Sequence, residues 1–330
     1  MDNQETYEDS ANAAAQPEPL QPTNGVLVID KPVGPTSHDL VAQARRYFRT
    51  KRVGHAGTLD PMASGVLLLL LGEGTKLSQA LTLEKKSYQA VVTFGTSTDS
   101  DDATGKVLAS VELAPGELTL DRLNAAIASE RAISTQLPPV VSAIKHDGQA
   151  AYARHRKGQT VSLVPRDVRV FELTILEHSP LAVTLALTVS KGYYVRALAR
   201  DLGQRLGVPA HLSSLRRTES GDFSLNEAVS WPPSARPNLL SLEDTVRRIL
   251  PCLTLTEEGT ERARVGKTLS ANHVNLLGSA GELLELRPLV PTAWLSSDGR
   301  VIALGQFDED GQGSVLRGFS YNQPSDRPPA

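Results

Sequence analysis

Residues 52–72 read RVGHAGTLDPMASGVLLLLLG, from Arg52 to Gly72, and decide how the rest of the chain is read. Three glycines, Gly54, Gly57 and Gly65, fall within a dozen residues around one carboxylate, Asp60. Glycine admits positive φ and close approach of another chain, so this is backbone shaped for contact, not a filler loop. The run Val66–Leu71 is of strand length and wholly apolar, which predicts a buried strand directly behind the loop. An acid held in front of such a strand is suited to act as nucleophile or base.

The flanking sequence extends the pattern in both directions. Val26–Ile29 predict another buried strand, ended by Pro32, Gly34 and Pro35. In TSHDLVAQARRYFR, Thr36 or Ser37 can cap a helix whose apolar face is Leu40, Val41, Ala44, Tyr47 and Phe48. A short helix is expected around Leu77–Leu83, then a strand SYQAVVTFG in which Tyr88, Ala90, Val92 and Phe94 share the inward side. GTSTDSDDATG reads as an acidic turn, and Leu118–Arg131 as an amphipathic helix. LAVTLALTVS alternates through Leu181, Val183, Leu185, Leu187 and Val189, and leads into KGYYVRALARDLGQRLGVP, a helix stopped by Gly207 and Pro209. SLEDTVRRIL has capping-box spacing from Ser241 to Asp244 and stops at Pro251. Beyond it, two Asp-Gly turns between short apolar runs predict hairpins in a small β-rich unit.

Length and composition limit the function classes. The 330 residues allow two domains, and 40% apolar residues describe an ordinary globular chain. One cysteine, Cys252, cannot form an internal disulfide. No apolar run reaches the ~18 residues of a membrane span and the first residues lack a basic flank, so no membrane association and a cytoplasmic location are expected.

The net charge of −3 hides a division. Residues 1–20 hold five acids and no Lys or Arg, while the remainder has 34 bases against 32 acids. Arg45–Arg52 contains five bases, and Lys191–Arg217 six against one acid. Basic clusters near the candidate motifs suit a polyanion, although a solvated basic helix face would look the same.

Several alternatives fall away on spacing. DSDDATG puts Ala103 and Thr104 where a calcium loop needs a ligand and its turn glycine. GEGTK lacks P-loop spacing, and His55 has no partners at metal-ligand separation, so neither a nucleotide, a metal nor another cofactor is expected. Arg196 could decorate a helix surface or supply a planar fork to a carboxylate. Tyr88, Tyr193 and Tyr194 could be core rings or platforms for an unpaired base.

Five blocks then occur in order: NGVLVIDKPVGPTSHDLV, RVGHAGTLDPMASGVLLLLLGEGTK, YQAVVTFGTSTDSDDATG, LPPVVSAIKHDGQAAYARHRKG and SKGYYVRALARDLGQRLG. Together they resemble the tRNA pseudouridine synthase B (TruB) family, over about residues 24–220. The resemblance implies an α+β catalytic domain with a central mixed, largely antiparallel sheet flanked by helices, followed by a small β-rich PUA-like RNA-binding domain. Composition predicts a disordered acidic tail at 1–22 and a loose end at 323–330, and the stop at Pro251 a domain boundary; with the resemblance, these give the catalytic domain at 23–250, with an RNA-gripping insertion at about 137–164, and the PUA-like domain at 251–322.

The same resemblance implies an isomerase that converts the T-loop uridine at position 55 of tRNA to pseudouridine, with no cofactor, no obligate protein partner and a monomeric state. It makes Asp60 the catalytic aspartate, Arg196 its partner, and Tyr88 the ring that stacks on the flipped uracil. Leu215 would wall the uracil pocket, Tyr194, beside Arg196 in the same block, would help bind the substrate, Lys31 would support the site, and His55 would contact the RNA loop. Ala56 stands where many relatives have threonine. Between Lys145 and Lys157 four bases face one acid, as an RNA-gripping segment requires. Two other classes compete: an RNA-binding or RNA-folding module whose chemistry is incidental, and a glycoside hydrolase, for which no second carboxylate pairs with Asp60 in the sequence.

Overall fold

The computed structural model describes residues 24–83, 85–114, 116–140, 145–146, 149–150, 163–275 and 287–320. The tails expected at 1–22 and 323–330, and most of the insertion expected at 137–164, lie outside the described residues.

Val66–Leu71 is apolar at every position because the sheet containing it is covered on both faces. The strand Ala63–Leu71 pairs with Gly25–Lys31 along one edge, and along the other with Ala210–Ser220 at its start and Val53–Ala56 at its end. By the period of two, Leu67, Leu69 and Leu71 enter one core while Val66, Leu68 and Leu70 enter another. Alternating polarity would leave a polar row in one of them.

Among the described residues the sheet has nine strands, in the order Val170–His178, Ala182–Val189, Lys86–Phe94, Ala210–Ser220, Ala63–Leu71, Gly25–Lys31 and Val229–Ser230, with Val53–Ala56 and Phe223–Ser224 branching off. Pairing is antiparallel except where Ala210–Ser220 meets Ala63–Leu71 and where Gly25–Lys31 meets Val229–Ser230. It is therefore mixed and largely antiparallel, as expected.

On the first face pack the helices Ser37–Tyr47, Leu120–Arg131 and Val195–Leu206, through side chains such as Leu40, Leu123, Leu198 and Leu202. Thr36 caps the first of these in a capping box with Asp39. Gly207, with φ +74, ends the last. The second face is covered by the helix Leu242–Ile249 and by Ala293, Leu295, Val301, Leu304 and Phe319. Those last residues belong to or follow a five-stranded sheet ordered Val274–Asn275, Cys252–Leu255, Thr292–Leu295, Val301–Phe307 and Gly313–Gly318. This C-terminal β unit has its own core around Trp294 and Phe307 while sharing apolar contact with the central sheet.

Two local expectations change, and one strand carries no local signal. The acidic turn is flanked by a hairpin, Thr96–Thr98 with Val107–Ser110, which a bond from Val111 N to Gly95 O at 2.7 Å extends. Leu181 lies outside its expected strand and is exposed, since the strand Ala182–Val189 begins one residue later. Ala210–Ser220, the central strand that completes the site, carries no alternating apolar pattern in HLSSLRRTES. Two bulges, at Leu212/Ser214 and Arg217/Glu219, break its period.

Candidate active site

The loop that carries Asp60 is bonded to its surroundings at several points. Ser37 Oγ donates to Leu59 O and accepts from Leu59 N, at 3.2 and 3.0 Å. Gly34 N donates to Pro61 O at 2.8 Å, and Ala63 N to Asp60 O at 3.1 Å. Lys31, fully buried, donates from Nζ to Ala63 O at 2.7 Å and to Pro32 O at 2.9 Å. Burial pushes the Lys31 ammonium down to about 8, with Asp60 opposing the shift and Arg217 adding to it.

Into this loop reaches Arg196, from the first turn of the helix Val195–Leu206. Its side chain is 7% exposed and that of Asp60 38%. Nε lies 2.9 Å from Asp60 Oδ2 and Nη2 donates to Oδ1 at 3.3 Å, so the planar guanidinium meets the carboxylate edge to edge. Nη1 donates to Ser100 O at 3.1 Å. Asp102 Oδ2 stands 3.7 Å from the same Nε. The other oxygen of Asp102 accepts from Ser100 Oγ, Thr104 N and Thr104 Oγ1 at 2.9, 2.9 and 2.6 Å. The acidic run that fails as a calcium loop thus supplies a buried counter-charge behind Arg196. The run is visible in the sequence, but nothing local relates it to Arg196, about a hundred residues away.

A cleft of about 600 Å³ opens over the Asp60–Arg196 pair. Tyr88, Tyr194 and Leu215 line it. Tyr88 is brought there by register: its strand sets it opposite Leu187 on one side and Arg217 on the other. Leu215 lies between Ala63 and Ala90, adjoining both the loop of Asp60 and the strand of Tyr88. Tyr194 is held by a reciprocal clamp, its N–H donating to Gln136 Oε1 at 2.8 Å and its carbonyl accepting from Gln136 Nε2 at 3.2 Å. Arg166 and Lys191, both exposed, add positive charge to the lining. A ring, an apolar wall and a paired carboxylate in a basic cleft can accept a planar base with its sugar and phosphate.

Two of the expected residues lie elsewhere. Lys31 is behind the loop and not among the lining residues. His55, on the strand Val53–Ala56, packs edge-on against His38 with ring centroids 5.2 Å apart. Burial, then the neighbouring His38 and Arg217, lowers its pKa, which favours the neutral ring. Tyr193 lines the cleft but spends its hydroxyl on buried Glu130, at 3.0 Å, and the buried phenol is pushed well above its ordinary value.

Residues 45–195 match the N-terminal domain model of the TruB family of pseudouridylate synthases, and residues 196–232 match a C-terminal domain model of tRNA pseudouridylate synthase B. The second match falls on the central sheet, ahead of the five-stranded C-terminal sheet. The chain is 43% identical to tRNA pseudouridine synthase B of Mycobacteroides abscessus over 253 residues, covering 74% of this chain and 84% of that one. It is 36% identical to the protein of the same name from Syntrophotalea carbinolica over 305 residues, 87% and 99% of the two chains. For that of Mycobacterium tuberculosis the figure is 41% over 286 residues, 85% and 91%. Among solved structures, a chain of a Cbf5–Nop10–Gar1 complex superposes with TM-score 0.67 at 24% identity, covering 92% of this chain and 86% of that one. A chain of an archaeal box H/ACA Nop10–Cbf5 complex gives 0.63 at 23%, covering 94% and 90%. At those identities the likeness is one of fold.

Proposed function

The chain belongs to the TruB family of pseudouridylate synthases and is a tRNA pseudouridine synthase, and from that premise we propose that it isomerises the uridine at position 55, in the T-loop of tRNA, with Asp60 as the catalytic carboxylate. The observation that carries this reading is the two-point pairing of Asp60 with Arg196 on the floor of a cleft walled by Tyr88 and Leu215.

In this reading the target base leaves the stacked T-loop at a cost of a few kcal/mol, offset by stacking on Tyr88 and apolar contact with Leu215. Tyr194 lies across the same cleft, Lys31 steadies the loop from behind, and His55 meets the RNA from the adjoining strand. Asp60, oriented by Arg196, promotes scission of the bond from C1′ to N1, either by attacking C1′ or by assisting formation of a glycal. The detached uracil turns within the cleft, its C5 bonds to C1′, the C5 proton is lost, and N1 ends protonated. The product is an isomer, so the reaction consumes no reductant, oxidant or second substrate, and no cofactor is required. Tyr88 carries a hydroxyl able to relay the C5 proton. The C-terminal β unit is a PUA-like domain that extends the RNA contact, and the enzyme acts as a cytoplasmic monomer.

The test is release of tritium from C5-labelled uridine in a T-stem-loop. Asp60→Asn is expected to bind the RNA and release none. Full activity in that variant would remove Asp60 from the chemistry.

A further inference from the structure

One side chain closes the loop that carries Asp60 at both ends. Arg217, on the strand Ala210–Ser220, is 1% exposed. Its Nε donates to Val66 O at 2.7 Å and its Nη2 to Gly57 O at 2.7 Å. Gly57 precedes Asp60 and Val66 follows it, so the two bonds bracket the catalytic turn.

The position is built for this guanidinium. Gly57 has φ +71, and a Cβ there would stand 3.3 Å from Arg217 Nη1. Gly65 has φ +103, and a Cβ there would meet Arg217 O at 2.1 Å. The close approach of the two strands at Gly65 sets the Arg217 backbone against the loop. Register completes the frame, with Gly65 opposite Arg217 on one side and Tyr88 on the other.

A buried cation is costly, and an apolar residue would fill the space without that cost but leave two carbonyls unpaired. A planar fork serves two acceptors at once in fixed directions, which an ammonium on a flexible stem does not.

We propose that Arg217 is a positioning residue for the isomerisation: it ties Gly57 and Val66 into one rigid frame so that the Asp60 carboxylate stays in register with Arg196 and with the uridine sugar. This rests on the reading of Asp60 as the catalytic group. Lys31, bonded to Ala63 O, holds the same loop from behind, whereas Arg217 spans it.

The experiment compares Arg217→Lys, Gly57→Ala and Asp60→Asn with the wild type. The rate is measured by tritium release with enzyme saturating over labelled tRNA, tRNA affinity by filter retention, and folding by thermal melting. Arg217→Lys keeps the charge and loses the fork, and its saturated rate is expected to fall roughly 10- to 100-fold, as ångström-scale misplacement of a reacting group does. The tRNA Kd should stay within about threefold, since the lost interaction acts on the reaction step and not on binding. Gly57→Ala, which presses on the clamp from the loop side, should show the same division and carries the test if Arg217→Lys does not fold. A wild-type saturated rate in folded Arg217→Lys, or a loss carried wholly by Kd or by the unfolded fraction, overturns the proposal. If Asp60→Asn is fully active, the reading of the catalytic group fails instead; if it is inactive while both clamp variants are unimpaired, only the clamp fails.

Discussion

Arg196 lies 136 residues beyond Asp60 in the chain, yet its guanidinium meets that carboxylate at 2.9 and 3.3 Å through two nitrogens. The remaining nitrogen is held by Ser100 O at 3.1 Å, so the fork cannot rotate without losing a bond. Arg196→Lys retains a charge but cannot occupy both carboxylate oxygens and the carbonyl together. Its single-turnover rate is expected to fall by roughly 100-fold, in line with loss of a preorganised group at a reacting centre. A rate within twofold of wild type would show that alignment by the fork is dispensable.

Tyr88 combines a ring and a hydroxyl in the cleft, and two substitutions separate them. Tyr88→Phe keeps the stacking face and should bind tRNA like the wild type while slowing release of the C5 proton. Tyr88→Leu removes stacking too and should weaken capture of the flipped base by about 1–3 kcal/mol. Equal activity of the phenylalanine variant and the wild type would assign the C5 proton to another group. The readouts are tritium release and the dissociation constant of an RNA stem-loop.

Glu73 joins the central sheet to the C-terminal β unit. Only 3% exposed, it accepts from Arg52 Nη2, Lys76 Nζ and Ser320 N, and Lys76 also donates to Gly318 O at 2.7 Å. Burial alone would raise its pKa, but the bonds from Lys76, Ser320 and Arg52 outweigh burial and the net shift is downward. Glu73→Gln should cost about 2 kcal/mol of unfolding free energy, a figure kept low because Arg52 is largely in water. The folded-state pKa is depressed, so the wild-type advantage is present above the ordinary value of 4.5 and shrinks as the pH falls through the lower folded value. Urea unfolding of both proteins at neutral and acid pH measures it, and a constant difference across that range would refute the linkage.

Lys31 gives a slope of opposite origin. Its folded value of about 8 lies below its ordinary 10.5, so between those limits the unfolded chain binds the extra proton. Stability from this group therefore rises with pH across that window, and burying the charged amine is most costly below it. In paired urea titrations, the stability of wild type relative to Lys31→Met should improve from pH 8 to pH 10. A flat or falling difference would mean that the buried amine keeps its ordinary proton affinity.

Much of this molecule is local in origin. Val66–Leu71, Thr36 with Asp39, the alternation through Ala182–Val189, and Gly207 each settle their own element, because burial period, capping and positive φ act within a few residues. The blocks around Asp60 and Arg196 also carried the family resemblance, and with it the nature of the chemistry. Ala210–Ser220 was not legible, since a strand paired on both sides and broken by two bulges owes its form to its neighbours. Nor were Asp102 behind Arg196 or Arg217 across the Asp60 loop. Each is a polar side chain whose partner is distant in sequence, and nothing in its own surroundings marks it. Sequence alone thus determined the elements whose signals are local and, through the resemblance, pointed to Asp60; the tertiary structure decided what orients the Asp60 carboxylate, because strand register and helix docking bring together charges that local periodicity cannot relate.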